Sequence, residues 1–179
     1  YTRTRPPSSE VECALGEWST KLGGPDRTPT VDIVVPSYRC DVDTLSRIQT
    51  AMRNDLENGM LIIQVDDPNS PRLKETLALQ AHDTRVRVNA KNLGASATRN
   101  AGLAECSGEM VILLDDDVKP LVGAFSAMRD ALSASPNHCG AVGVVRFPPS
   151  NDILHEATRM SQILTTFAWP TSIFPTVAP

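Results

Sequence analysis

Residues 110–120 read Met-Val-Ile-Leu-Leu-Asp-Asp-Asp-Val-Lys-Pro, and this stretch constrains the fold more than any other. Five consecutive apolar residues predict a short strand buried on both faces, as in a parallel sheet. The run stops at three carboxylates, Asp115, Asp116 and Asp117. In extended backbone Asp115 and Asp117 point to one side and Asp116 to the other. Adjacent negative charges repel, and burial sharpens the repulsion. A divalent cation relieves it: Mg²⁺ and Mn²⁺ take carboxylate and phosphate oxygens and usually arrive with a phosphorylated ligand. The competing reading is a solvated acidic turn after a core strand.

The rest of the chain supplies the other elements. Residues 31–35, Val-Asp-Ile-Val-Val, predict a strand that ends at Pro36-Ser37-Tyr38. A helix follows, capped by Asp41 or Asp43, with Leu45, Ile48, Met52 and Leu56 at helical spacing. Asn58-Gly59 closes it. Residues 60–65 predict a second strand, ending at Asp66-Asp67. A helix over 71–80 places Leu73, Leu77 and Gln80 on one face, and 86–89 form a short third strand. The loop Asn92-Leu93-Gly94-Ala95-Ser96 leads into a small-residue helix over 96–106, stopped by Gly108. After the acidic strand come a helix over 120–133 (stripe Leu121, Phe125, Met128, Leu132), a fifth strand over 139–147 and a helix over 153–166. Strand and helix alternate about five times, which predicts an α/β fold with a mostly parallel, doubly wound sheet.

Bulk properties narrow the function classes. A length of 179 residues suits one domain of ordinary size. Net charge is −4, aromatics make up 4%, and no Lys/Arg stripe appears, so no nucleic-acid partner is expected. The cysteines Cys13, Cys40, Cys106 and Cys139 form no CxxC pair and read as reduced thiols, mostly buried. Residues 1–30, rich in Pro, Gly, Ser, Thr and charge, read as a linker or peripheral arm. Residues 160–179 carry no charge and are broken by Pro170, Pro175 and Pro179, a poor membrane span. They suit an interfacial segment or the approach to a later span. The chain opens at Tyr1 with no signal peptide and reads as a piece of a longer protein, cytoplasmic or membrane-associated.

In an open α/β sheet, ligands bind beyond the carboxyl ends of the strands. Three polar strand ends are expected on that edge: Pro36-Ser37-Tyr38-Arg39, Asp66-Asp67, and Asp115-Asp116-Asp117. A carboxylate such as Asp66 or Asp67 can accept from a base N–H or a ribose hydroxyl. The Asn92-Leu93-Gly94 loop, the helix start behind it and Arg99 favour an anion such as a diphosphate. A metal at Asp115 and Asp117 would neutralise the same diphosphate and, with Arg99, stabilise a departing phosphate.

On those residues the chain resembles the family 2 glycosyltransferases, which have the Rossmann-like GT-A nucleotide-diphospho-sugar transferase fold. Val34-Val35-Pro36-Ser37-Tyr38-Arg39 is similar to the family's opening strand and Pro-x-Tyr-Asn loop, with Arg39 where Asn is usual. Val65-Asp66-Asp67 is similar to its nucleoside-binding acidic pair, and residues 92–102 to its Asn-x-Gly…Ala-Arg-Asn-x-Gly segment. Leu113-Leu114-Asp115-Asp116-Asp117 is similar to its Asp-x-Asp. The resemblance implies a GT-A nucleotide-sugar-binding domain over 31–150. It also implies a nucleotide-sugar donor based on UDP or GDP, and direct displacement with inversion. Asp67, Pro36 and Tyr38 would hold base and ribose. Arg39, Asp66, Gly94, Arg99, Asp115 and Asp116 complete the nucleotide site, and Asp115 and Asp117 hold Mn²⁺ or Mg²⁺. The acceptor is a glycan, lipid or protein. The family's base lies well after Asp-x-Asp, often in a Glu-Asp pair. None occurs here, so Asp152 and Glu156 stand as the only guesses for it, and 151–179 reads as the start of an incomplete acceptor half or a C-terminal extension.

Three alternatives are weighed beside this. Residues 112–118 also fit the Asp-x-Asp-x-Val signature of haloacid-dehalogenase-like phosphatases, with Asp115 as nucleophile and Asp117 as acid/base, but that family carries it on its first strand. A nucleotidyltransferase should carry a Gly-rich loop with Arg after strand one, which Pro36-Ser37-Tyr38-Arg39 is not. A truncated or degenerate domain would bind nucleotide without turnover.

Overall fold

A computed structural model of the chain describes residues 27–134, 138–143 and 152–153. The chain divides into two compact units, Tyr1–Cys139 and Gly140–Pro179. All the regular elements below lie in the first. Four strands, β1 (Val31–Ser37), β2 (Gly59–Val65), β3 (Thr84–Val88) and β4 (Met110–Leu113), alternate with helices α1 (Val42–Asp55), α2 (Leu73–Leu77), α3 (Ala95–Leu103) and α4 (Ala124–Ser133). The strands are all parallel, in the order β3-β2-β1-β4. The first three step outward in one direction, and β4 returns to the opposite side of β1. The expected α/β doubly wound sheet is therefore present, and its topological switch point lies between β1 and β4.

The period of 2 along each strand divides the sheet into two unlike faces. Val31, Ile33 and Val35 of β1, Leu61, Ile63 and Val65 of β2, Val86, Met110 and Ile112 all belong to one apolar core with Leu45, Ile48 and Met52 of α1 and Phe125 of α4. The other face carries Asp32, Val34, Ile62 and Gln64, all buried, and α3 lies along it over β1 and β2. This second interface is tight and polar. A Cβ on Gly102 would stand 2.5 Å from Val34 Cγ1, so only glycine lets α3 approach this closely. Asp32 Oδ2 accepts Ser107 N and Gly108 N, both at 2.7 Å, which fixes the turn from α3 into β4. At the far end of that turn Glu109 holds the segment entering β1, accepting Thr30 N at 3.0 Å and Arg27 at 2.6 Å.

Several expectations are corrected. The acidic strand is not buried on both faces: Val111 is 38% and Leu113 51% exposed. The reason is placement. β4 is the edge strand of the sheet as described, and α3 covers β1 and β2 instead. The helix expected over 71–80 is α over Leu73–Leu77, and Leu77 is exposed while Thr76 is buried. Its inward side is set by Leu73, Thr76 and Leu79 rather than by an unbroken leucine stripe. Leu121 precedes α4 and is 71% exposed, so the α4 stripe begins at Phe125. Gly59 opens β2, with Asn58 in the turn before it, and α1 ends earlier, at Asp55. Asp41 stands at the α1 N-cap but accepts the Thr44 hydroxyl, not a first-turn N–H. Residues 139–143 are not strand. Residues 144–147 of the expected fifth strand lie outside the described residues, as do most of the expected helix over 153–166, Glu156, and residues 1–26 and 160–179. Cys40 is buried, Cys106 half-buried and Cys139 exposed, all free thiols; burial, then the charges of Asp32 and Glu105, push the Cys106 thiol up to about 11, which leaves it inert at neutral pH. Among the described residues, no helix is long and apolar enough to cross a membrane.

Candidate functional site

The carboxyl ends of β1 and β4 diverge at the switch point, and a crevice of about 430 Å³ opens there. That is within the usual range for a small-molecule site. It is lined by the residues that follow β1 (Pro36 to Arg39), by Asp66, by the loop and first turns of α3, and by the acidic triplet. The sequence-predicted Pro36, Tyr38, Arg39, Asp66, Gly94, Arg99, Asp115, Asp116 and Asp117 are thus brought together. Asp67 is not in the lining. Its Oδ1 accepts Asn69 N at 2.9 Å, closing a turn after β2.

The acidic triplet does not continue the strand. It turns, with Val118 N donating to Asp115 O, so the alternation of sides expected for extended backbone does not apply. Two of the three carboxylates are instead drawn to different partners. Arg99 Nη2 donates to Asp115 Oδ1 at 2.5 Å across the crevice. Ser37 Oγ donates to Asp116 Oδ2 at 2.7 Å. Asp117 lines the crevice and is exposed, and no hydrogen-bond or ion-pair partner of it is found among the described residues.

Asp66 is the most committed carboxylate. It is 5% exposed at the end of β2. Its Oδ1 accepts Leu93 N and Asn89 Nδ2, both at 2.8 Å, and its Oδ2 accepts Gly94 N at 3.0 Å. Burial pushes its pKa up, but the donors at Leu93, Asn89, Thr98 and Gly94 outweigh this and hold it below the ordinary carboxylate value. Asn89 in turn is tied to Gln64 and Thr98. One polar network therefore joins the ends of β2 and β3 to the start of α3. It also turns the Leu93 and Gly94 N–H groups inward, so they are not the open anion-binding donors that the loop suggested. The cation in the crevice is Arg99, with Arg39 exposed at the rim. Gly94, at φ +80°, takes a conformation that side-chain-bearing residues rarely adopt.

The donor set suits a hard cation. Among the described residues no three His, Cys, Asp or Glu side chains converge to hold a metal by protein atoms alone. Mg²⁺ and Mn²⁺ do not need that: one or two carboxylates plus phosphate oxygens suffice. Asp117, and Asp115 once released from Arg99, meet that requirement.

Three participants have little local signature in the sequence. Ser37 reads as part of the loop after the first strand; its one signal is a hydroxyl at the last position of a central strand. Thr98 and Asn89 carried no local signal, because their roles depend on packing between distant segments. Of the two candidate bases, Asp152 is exposed and belongs to the second unit, and Glu156 lies outside the described residues.

Comparison with known proteins bears on the same stretch. The family model described as Glycosyl transferase family 2 matches residues 32–177. The chain is 29% identical over 114 residues to the GalNAc(5)-diNAcBac-PP-undecaprenol beta-1,3-glucosyltransferase of Campylobacter jejuni, covering 62% of this chain and 37% of that one. It is 34% identical over 99 residues to the pre-mycofactocin glycosyltransferase of Mycobacterium tuberculosis, covering 55% and 20%. It is 32% identical over 94 residues to an N-acetylglucosaminyltransferase of Bradyrhizobium elkanii, covering 50% and 52%. The chain therefore spans at most about half the length of these relatives.

Proposed function

The chain belongs to glycosyl transferase family 2, and from that premise we propose that it takes a sugar from a nucleoside-diphosphate donor, UDP- or GDP-linked, and passes it to an acceptor hydroxyl with inversion. The observation that supports this reading most is the switch-point crevice, which gathers Arg99 and three carboxylates of the matched stretch at one sheet edge. Tyr38 and Arg39 at the rim, with Pro36, face the base and ribose. Arg99 meets the diphosphate and gives up its pairing with Asp115. Asp115 and Asp117 hold Mg²⁺ or Mn²⁺. That ion, when bound, offsets the charge of the departing diphosphate. In the displacement the acceptor oxygen forms a bond to the anomeric carbon as the bond to the phosphate oxygen breaks, and the hydroxyl proton passes to a base. The acceptor is a glycan or lipid, in line with the undecaprenol-linked substrate in the name of the Campylobacter relative.

A second reading has its own observation. Among the described residues the crevice offers Asp66 and the triplet as carboxylates; Asp66 already accepts three hydrogen bonds, Asp116 accepts Ser37, and Asp115 and Asp117 face the diphosphate. A domain that binds the nucleotide without turnover matches that arrangement. Calorimetry with UDP and GDP, each with and without Mn²⁺ or Mg²⁺, tests both. Binding that the cation strengthens, and that loses this strengthening in Asp117→Ala, supports the site. Binding that the cation leaves unchanged, or none, refutes it. Release of free sugar from a UDP- or GDP-sugar by the wild-type chain separates turnover from binding alone.

A further inference from the structure

We propose that Ser37 is the positioning residue of the donor site, acting through Asp116; this rests on the nucleotide-diphosphate reading above. Ser37 is the last residue of β1 and only 1% exposed. Its hydroxyl makes two bonds, donating to Asp116 Oδ2 at 2.7 Å and accepting Cys40 N at 3.2 Å. Its carbonyl accepts Asp66 N at 2.8 Å. One buried residue thereby holds the end of β2, the turn after β1 and the acidic turn after β4.

The acidic turn has few other ties to β1. Pairing between β1 and β4 runs from Val31↔Met110 to Val34↔Leu113, and the last backbone bond is Leu114 N to Val34 O. Beyond it, the Ser37–Asp116 bond is the described link between the two strand ends. Asp116 is the middle of three consecutive carboxylates. Anchoring it sets its two neighbours, each one peptide away, and these are the pair turned to Arg99 and the crevice. The turn on the other side of Ser37 also depends on the hydroxyl. Cys40 is buried with φ +53°, a left-handed conformation uncommon for a residue with a side chain, and its N–H is satisfied by Ser37. Asp116 is then an anchor and not a ligand contact, and the triplet works as two ligands about a fixed centre.

A double-substitution cycle on the full chain tests this, with UDP or GDP and Mn²⁺ as probes. Ser37→Ala is expected to weaken the Mn²⁺-dependent affinity about tenfold while changing metal-free nucleotide affinity less than twofold. In an Asp116→Ala background the same substitution should add less than twofold. Ser37→Thr, which keeps the hydroxyl, should restore most of the affinity and rule out a mere folding defect. Equal losses with and without Mn²⁺, or independent effects that multiply in the double variant, overturn the proposal alone. Failure of the wild-type chain to bind any nucleoside diphosphate overturns the donor reading, and this proposal with it.

Discussion

Substituting Gly102 by alanine should loosen the fold and the site together. An added Cβ would lie 2.5 Å from Val34 Cγ1 and 3.6 Å from Gln64 Cβ. Carbon atoms pack at about 3.5–4.0 Å, so a shift of roughly 1 Å is required. Val34 cannot supply it easily, being wholly buried on a central strand. Nor can α3 slide freely. Its start is held by Asp66 through Gly94 and by Asn89 through Thr98, and the turn beyond its end by Asp32. Overpacking of this kind costs about 1–3 kcal/mol. Alanine offsets about 1 kcal/mol of that through its better helix propensity. With both ends of the helix tied, the upper half of the cost applies, leaving a net loss of about 1–2 kcal/mol. For a chain of this size that lowers the melting temperature by about 2–8 °C.

Differential scanning calorimetry reads this directly, with Gly140→Ala as a control because nothing lies within 4 Å of a Cβ there. The decisive comparison is a cycle with Val34→Ala, which removes the clashing methyls. Gly102→Ala measured in that background should become neutral or stabilising. Because α3 carries Arg99, nucleotide affinity should fall with stability in the single variant. An unchanged or raised melting temperature in Gly102→Ala alone would refute the close approach of α3 to β1.

Three further outcomes are expected. Asp66→Asn should destabilise by about 2–4 kcal/mol in urea titration, since every group on its carboxylate is a donor and an amide sets donor against donor; an unchanged midpoint would mean that the network relaxes at no cost. Stability should decline on acidification between about pH 4 and pH 2, because hydrogen bonds from Arg53 and then Thr84 lower the Asp83 carboxyl from 3.8 to about 2, so its contribution is present above the unfolded value and lost as pH falls through the folded one; Arg53→Gln should flatten that part of the profile, and an unaltered profile would count against the pairing. Asp55→Ala should cost about 1 kcal/mol, because its two oxygens accept Gly123 N and Phe125 N at 2.9 and 3.1 Å and so cap α4 from the end of α1; hydrogen exchange at residues 123 and 125 should quicken relative to the sheet.

The parts of the fold that local pattern controls were legible in the sequence. β1 and β2 follow from their β-branched and apolar runs, and the alternation of strands with helices led to the parallel sheet. Patterns that depend on what lies opposite were not legible. Val111 and Leu113 read as core because an apolar run does not reveal whether a helix covers its second face, and here α3 sits elsewhere. The site divides along the same line. Residue type and position placed Arg99 and the triplet on one edge. Which carboxylate faces outward depends on donors from other segments: Asp66 is turned inward by Asn89 and by the backbone at 93 and 94, Asp67 closes its own turn, and Asp116 is held by Ser37.

Why the crevice opens where it does follows from one residue whose chemistry is unambiguous. In β1 the odd residues bond toward β2, as Ser37 O does with Asp66 N, and the even ones toward β4, as Thr30 O and Val34 O do with Met110 N and Leu114 N. The next donor due to β4 would therefore be residue 36, and residue 36 is proline, which has no N–H. A proline is ordinarily excluded from a central strand because it breaks the ladder. Here the break falls on the side facing β4 while the pairing with β2 continues to Ser37↔Val65. Among the described residues β4 has no further strand partner, its chain departs into the turn at Asp115–Asp117, and the two strand ends separate at the switch point. Pro36 ends the backbone ladder and Ser37 replaces it with a side-chain bond to Asp116, so two adjacent residues both open the crevice and set the position of the carboxylates that line it.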